Sequence, residues 1–188
     1  MRGKILSTIF LIGLPSILLA HGSHGNGVMA GFTHPIFGFD HMFAILGAGI
    51  LSYLSDSKKW HLYLLGFLIP MIIGGLLGIG NEATFTIEKI IALSVFIIGA
   101  LLASRVEISV LVGVVMLGIF GFFHGYAHGA EMSTDNTALK YVSGYALGTI
   151  LVGSIGMLIG MGLKKVNSKV ILVVGLILMA LGIHFLLA

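Results

Sequence analysis

Long apolar runs dominate this sequence and limit the structures that it can form. A helix that crosses a bilayer needs about 20 apolar residues, and irregular backbone exposed to lipid leaves polar groups without hydrogen bonds. Six such runs follow residue 27, at approximately 28–54, 62–80, 87–103, 108–123, 139–163 and 170–187. This pattern predicts an all-α fold, a polytopic membrane bundle of six transmembrane helices.

The composition supports a protein that lies almost entirely in lipid. Charged residues make up 9% of the 188 residues, whereas a soluble domain has about 25%. Only short polar segments separate the apolar runs, so we expect one six-helix transmembrane domain over 21–188, the lipid bilayer around it and no nucleic-acid partner. The lack of cysteine excludes disulfides, iron–sulfur clusters and thiolate metal sites. Small residues four apart predict close helix packing at Gly144 with Gly148, Gly156 with Gly160, and the cluster Gly74, Gly75 and Gly78.

The first residues have the layout of a secretory signal peptide. Arg2 and Lys4 precede an apolar stretch at 5–19, and Ala20 comes before a polar segment rich in glycine and histidine. We therefore expect residues 1–20 to be a cleavable signal peptide. The alternative is an uncleaved first helix, because Leu18 is not the small residue preferred three positions before a cleavage site.

The basic residues are distributed unequally between the two sides of the predicted bundle. With the mature N-terminus outside, eight of the ten fall on the cytoplasmic side, and only Lys89 and Lys140 fall outside. Cytoplasmic loops carry an excess of lysine and arginine, so the bias predicts an N-out, C-out, multi-pass protein of the bacterial inner membrane. Three helices per half would give halves of opposite orientation, as in an inverted repeat, although we find no convincing sequence similarity between them.

The first histidine motif lies in the first mature run and reads HPIFGFDH over 34–41. A carboxylate at the centre of a membrane helix costs about 2.5–3.5 kcal/mol on insertion scales, so Asp40 indicates a functional site. His34 and His41 are seven residues apart, which separates them by about 10 Å along a straight helix. One ion cannot easily contact both unless Pro35 and Gly38 start or bend the helix locally. Alternatively, the two histidines mark successive positions on a path.

The second motif closes the fourth run and reads FHGYAHGAE over 123–131. His124 and His128 are four residues apart and Glu131 is three further on, so a continuing helix would place all three on one face. Gly129 could instead end the helix just after His128, which would make Glu131 a loop ligand. Either arrangement predicts a chelating group at the outer end of this helix.

The predicted topology brings the two motifs together, because the first helix enters from outside and the fourth leaves there. Neutral imidazole with carboxylate suits nickel, cobalt, zinc or copper(II), and suits magnesium and calcium poorly. Asp40 also has a competing role, in which it holds His41 or another imidazole as a hydrogen-bond acceptor without touching metal. The candidate metal ligands are His34, Asp40, His41, His124, His128 and Glu131.

The remaining histidines lie outside these motifs. Cleavage after residue 20 would make His21 the first residue, and its amine and imidazole could chelate one ion with His24 close by. This is a candidate external capture site, and the alternative is a flexible polar tail. We expect His61, beside Trp60 in a basic loop, to lie at the membrane interface. His184, near the outer end of the last run, could join a site, but we favour a structural role.

At these positions the sequence resembles the HupE/UreJ family of membrane proteins. The match rests on HPxxGxDH at 34–41 and FHGxAHGxE at 123–131, together with the signal peptide and the six-run layout. The resemblance implies a nickel or cobalt permease, associated in that family with supplying metal to nickel enzymes such as hydrogenase and urease. It also implies a metal role for the six motif residues named above.

The leading hypothesis is a secondary or facilitated importer of a divalent transition metal ion, and not an enzyme. The transported ligand would be Ni²⁺ or Co²⁺, with Zn²⁺ also compatible, and no prosthetic group is expected. No Gly-rich nucleotide-binding loop with lysine occurs, so energy would come from an ion gradient, the membrane potential or a separate subunit. The alternatives are an intramembrane zinc-dependent hydrolase and a membrane metal-binding partner that does not transport. The sequence leaves the oligomeric state open, a homo-oligomer included.

Sequencing the N-terminus of the purified protein tests the signal-peptide prediction. Cleavage after Ala20 gives a mature chain that begins at His21, because the short apolar stretch interrupted by Pro15 is better suited to a signal than to a span. A chain that begins at Met1 would instead support the uncleaved first helix.

Overall fold

The computed structural model describes residues 27–56, 58–134 and 137–188, and within these ranges the regular structure is helical throughout. The predicted signal peptide at 1–20 and the candidate ligands His21 and His24 lie outside the described residues. The seven described helices are α1 (Val28–Phe37), α2 (Phe39–Ser55), α3 (Trp60–Gly78), α4 (Phe85–Ser104), α5 (Val110–Ala130), α6 (Ala138–Leu163) and α7 (Ser168–Leu187).

The helices agree with a polytopic membrane protein. Five of them, α3 to α7, are long and apolar enough to cross a bilayer, and α1 and α2 pass the same test only as a pair. Counting that pair as one span gives six, so the all-α membrane fold predicted from the apolar runs is confirmed. The N-out, C-out orientation stays a prediction.

The first apolar run is not one straight helix. It breaks at Gly38, and the axes of α1 and α2 differ by 78°. The Gly38 backbone is extended, with φ −75° and ψ 99°, while its N–H still donates to the His34 carbonyl at 2.9 Å. Pro35 lies inside α1 and has no N–H to donate to the preceding turn, which weakens the helix just before the break. The bend predicted from Pro35 and Gly38 is therefore present, and at 78° it divides the run into two helices.

Polar side chains define several other helix ends. Ser109 Oγ accepts a hydrogen bond from the Val112 N–H at the start of α5, and Asn167 Oδ1 accepts one from Lys169 at the start of α7. Such caps satisfy backbone donors that have no partner within the helix. Arg105 ends α4 in the left-handed conformation, with φ 53°.

Glycines bring the helix backbones into direct contact in three groupings: α3 with α5, α4 with α7, and α1 and α2 with α6. A Cβ on Gly74 would collide with the Phe122 carbonyl oxygen, and one on Gly78 would collide with that of Tyr126. Gly144 faces the Val28 carbonyl in the same way. Close packing at the small-residue pairs predicted from the sequence is thus confirmed, and van der Waals contact between backbones is the expected source of helix association in lipid.

Apolar side chains cover the outside of the bundle, and the buried polar side chains lie inside it. Large aliphatic side chains are exposed along α3, α5, α6 and α7, as expected for a surface in contact with acyl chains. Ser52 and Ser94 are fully buried, and each donates to a carbonyl three residues earlier in its own helix. The other buried polar side chains are His41, His124, His128 and Thr149.

Replacing Gly74 by alanine tests the packing of α3 against α5. The added methyl group has no room beside the Phe122 carbonyl, so we expect a loss of about 1–3 kcal/mol and a lower melting temperature in detergent. Gly162→Ala is the matched control, since a Cβ there meets nothing within 4 Å and alanine favours helix by up to about 1 kcal/mol. Equal melting temperatures for the two variants would contradict the packing described here.

Candidate metal centre

The break at Gly38 brings together the two histidines of the first motif. His34 lies on α1 and His41 on α2, and their ring centroids are 5.8 Å apart, whereas a straight helix would separate the residues by about 10 Å along its axis. Because of the bend, His34 and His41 are close enough to contribute to one site.

The second motif extends its helix beyond the predicted run. α5 continues to Ala130, and Glu131 is the C-cap residue, whose N–H donates to the Ala127 carbonyl at 3.0 Å. Gly129 thus lies within the helix and does not end it after His128. His124 and His128 are completely buried on one face, one turn apart.

The two motifs meet in one cluster of four imidazoles, which we call the histidine cluster: His34, His41, His124 and His128. The His128 ring lies 4.7 Å from that of His34 and 4.5 Å from that of His41, and the His41 and His124 rings are 5.1 Å apart. His41 is only 5% exposed, and His124 and His128 are 0% exposed. Three buried imidazoles and the partly buried His34, each in ring contact with at least one other, form a concentrated set of nitrogen ligands.

One carboxylate connects the two motifs. His34 Nε2 lies 2.7 Å from Glu131 Oε2, so the imidazole of α1 and the carboxylate at the end of α5 are directly paired. One ligand atom each from His34, His128 and Glu131 also lie within 4.8 Å of one another. Ligands on opposite sides of an ion at about 2.1 Å are about 4.2 Å apart, so small side-chain movements would suffice to enclose an ion.

The other carboxylate orients a histidine. Asp40 Oδ1 accepts from His41 Nδ1 at 2.9 Å and from the His41 backbone N–H at 2.8 Å. His124 is oriented similarly, because its Nδ1 lies 2.8 Å from the Phe120 carbonyl oxygen, which can only accept. With Nδ1 as donor in each ring, Nε2 is the nitrogen with a free lone pair. The geometry thus fits the orienting role that the sequence left open for Asp40.

Four ring nitrogens of the cluster are buried without a hydrogen-bond partner: His41 Nε2, His124 Nε2 and both nitrogens of His128. Buried polar atoms in native proteins nearly always have a partner, and those that lack one call for an explanation such as an ion. The rings that carry these nitrogens pack against one another, and His128 also shares with His34 and Glu131 a group of ligand atoms within 4.8 Å, so the residues present fit a bound divalent cation.

Sequence reasoning missed the aromatic residues beside the cluster. The Tyr145 ring stacks on His128 at 5.2 Å, Tyr141 lies 6.4 Å from His34, and Phe67 lies 5.4 Å from His124. A signal was present, because Gly-Phe-x-His occurs in both motifs, at 31–34 and 121–124. In each copy the glycine lies against a carbonyl of the neighbouring helix, and that carbonyl belongs to the aromatic residue beside the histidine.

The other histidines in the described part of the chain lie apart from this cluster. His61 is beside Trp60 at the start of α3, with ring centroids 6.0 Å apart, and His184 is beside Phe185 near the end of α7. The position of His184 agrees with the structural role that the sequence favoured, and the interfacial position of His61 stays a prediction.

Comparison with known proteins identifies the family. The family described as HupE / UreJ protein matches residues 9–185, a region that includes both motifs. The chain belongs to the HupE/UreJ family. Protein HupE from Rhizobium leguminosarum bv. viciae is 37% identical to it over 155 residues, which cover 82% of this chain and 81% of that protein. No solved structure matches the chain. The resemblance to the HupE/UreJ family drawn from the two motifs is therefore confirmed.

Proposed function

We propose that this protein is a secondary or facilitated importer of Ni²⁺ or Co²⁺ across the bacterial inner membrane, and that the ion passes through the histidine cluster from the periplasmic side. The observation that carries the proposal is the histidine cluster itself, in which imidazoles from two membrane spans pack ring against ring and four of their nitrogens are buried without a partner. Ionisable side chains inside a membrane bundle typically mark an ion pathway.

The ligand set favours a borderline transition metal as the substrate. Imidazole nitrogen with carboxylate oxygen suits Ni²⁺, Co²⁺ and Zn²⁺, whereas Mg²⁺ and Ca²⁺ prefer oxygen ligands alone. The choice of Ni²⁺ or Co²⁺ over Zn²⁺ rests on the family, which is associated with nickel and cobalt transport.

The exposure of the side chains supports a route that begins at the carboxylates. The side chains of Glu131 and Asp40 are 41% and 34% exposed, while that of His34 is 13% exposed and His128 is completely buried. Partly exposed carboxylates attract a cation, and the buried imidazoles behind them can replace its water ligands. With the topology predicted from the basic residues, Glu131 faces the periplasm.

The membrane potential supplies a driving force in this direction. It favours cation entry by about 2.3 kcal/mol per charge per 100 mV, and thus by about twice that for a divalent ion. Inward movement of Ni²⁺ or Co²⁺ through this chain therefore needs no nucleotide hydrolysis when the potential is maintained.

The family favours transport over the hydrolase alternative, because HupE/UreJ proteins are associated with nickel and cobalt transport.

Uptake of radiolabelled Ni²⁺ and Co²⁺ into proteoliposomes tests the proposed function. We expect time-dependent uptake by the wild type and a loss of at least about tenfold in His41→Ala and His128→Ala, because each variant removes a buried ligand. His184→Ala is the matched control, since this histidine lies beside Phe185 and outside the cluster. Wild-type vesicles that take up no more metal than empty ones would refute the import function.

A second prediction concerns Asp40. Asp40→Asn keeps the size of the side chain but lowers its strength as an acceptor for His41 Nδ1, so the ring loses its fixed orientation. We expect Co²⁺ affinity in detergent, measured by titration calorimetry, to fall about 10–100-fold, as for other changes to groups that orient metal ligands. Unchanged affinity would mean that His41 is positioned by packing alone.

A further inference from the structure

His128 differs from the other members of the histidine cluster in how its ring is held. His34 is paired with Glu131, His41 with Asp40, and His124 with the Phe120 carbonyl. Both ring nitrogens of His128, by contrast, are buried and have no hydrogen-bond partner. No hydrogen bond therefore sets the orientation of its imidazole, although it is the member that contacts two other histidines most closely.

The ring of Tyr145 packs against this imidazole, which no hydrogen bond orients. It stacks on His128 with an interplanar angle of 23° and a centroid distance of 5.2 Å, and Tyr145 itself is 0% exposed. The other rings beside His128, those of His34 and His41, meet it at 85° and 38°. Tyr145 is therefore the neighbour whose plane is closest to parallel with that of His128.

Gly75 fixes the position of Tyr145 in turn. The tyrosine hydroxyl lies against Gly75 on α3, so closely that a Cβ at this position would overlap it. That hydroxyl is buried and makes no hydrogen bond, so shape alone holds the ring at this end. The lack of a side chain at Gly75 is thus a requirement for the stack on His128.

His128 also occupies the middle of the cluster. On one side it forms the compact group with His34 and Glu131, whose ligand atoms lie within 4.8 Å of one another. On the other side it contacts His41, which contacts His124.

We infer that Tyr145 is a positioning residue for His128, and that it holds this imidazole where it completes an ion position with His34 and Glu131. This inference rests on the proposed function, in that the cluster binds the transported ion. Tyr145 does not touch the ion. Its stacked ring keeps the His128 imidazole in the orientation that places it beside His34 and Glu131.

The visible absorption of bound Co²⁺ tests the inference, because its bands change with the number and geometry of the ligands. In detergent, Tyr145→Phe keeps the ring and should give the wild-type spectrum, whereas Tyr145→Leu removes the ring and should give a spectrum like that of His128→Ala. Tyr63→Leu is the matched control and should retain the wild-type spectrum, because Tyr63 is also 0% exposed but its ring lies against Gly113 of α5, away from the cluster. We expect Tyr145→Leu to lower Co²⁺ uptake about threefold to tenfold, the range set by the strength of ring stacking.

Gly75→Ala provides a second variant that leaves every ring of the cluster in place. The added methyl group displaces Tyr145, so this variant should reproduce the spectrum of Tyr145→Leu even if that variant folds poorly. A wild-type spectrum in both Tyr145→Leu and Gly75→Ala would overturn the positioning role. So would a change in Tyr145→Phe as large as in Tyr145→Leu, since the hydroxyl and not the ring would then be responsible.

The same measurements separate this inference from the proposed function. Wild-type protein that binds Co²⁺ but gives no uptake into vesicles would refute import, while the spectra of the Tyr145 variants would still support or overturn the positioning role. Wild-type protein that binds no Co²⁺ would overturn both.

Discussion

The first span breaks at Gly38, where α1 ends and α2 begins at an angle of 78° to it. Backbone groups released in this way are costly in hydrocarbon unless protein surrounds them. Here Asp40 Oδ1 accepts from the His41 backbone N–H in the first turn of α2, so a side chain of the motif also satisfies the break. The acidic residue lies near the positive end of the α2 dipole, which favours its charge. Asp40, which orients His41, thus lies in the same turn that brings His34 and His41 together.

Contacts at glycines fix the position of this turn relative to the rest of the bundle. Gly144 and Gly148 on α6 let the backbone of α1 lie against that helix, and Gly121 and Gly125 do the same for α5 against α3. Because such contacts leave no room for side chains, the position of each motif relative to its neighbour is set by backbone contact. The aromatic residues beside the cluster, including Tyr145, come from these same neighbouring helices. The same glycine contacts therefore determine both the packing of the helices and the positions of the rings beside the histidine cluster.

Much of this arrangement was predictable, and the remainder depends on distances that a sequence does not contain. The apolar runs predicted the spans because the thickness of the hydrocarbon layer sets the length of a membrane helix. The spacing of His124 and His128 predicted a shared face because residues four apart lie on the same side of a helix. Gly38 indicated a bend but not an angle, which depends on how α1 packs against α6. Tyr145 is indistinguishable by sequence from an ordinary buried aromatic residue. Its relation to His128 arises only in the folded bundle, where the two rings meet from α6 and α5.

The angle at Gly38 has a mechanical consequence for ion binding. His34 moves with one rigid helix and His41 with the other, so the two imidazoles are carried by two arms that meet at the break. His34 is about 6 Å along its arm from Gly38, and a tilt of about 10° would shift it by about 1 Å. Metal to nitrogen bonds of about 2.1 Å do not survive a stretch of that size. The close approach of His34 to Glu131 and His128 therefore depends on a fixed angle at Gly38, and the backbone contacts between α1 and α6 hold it.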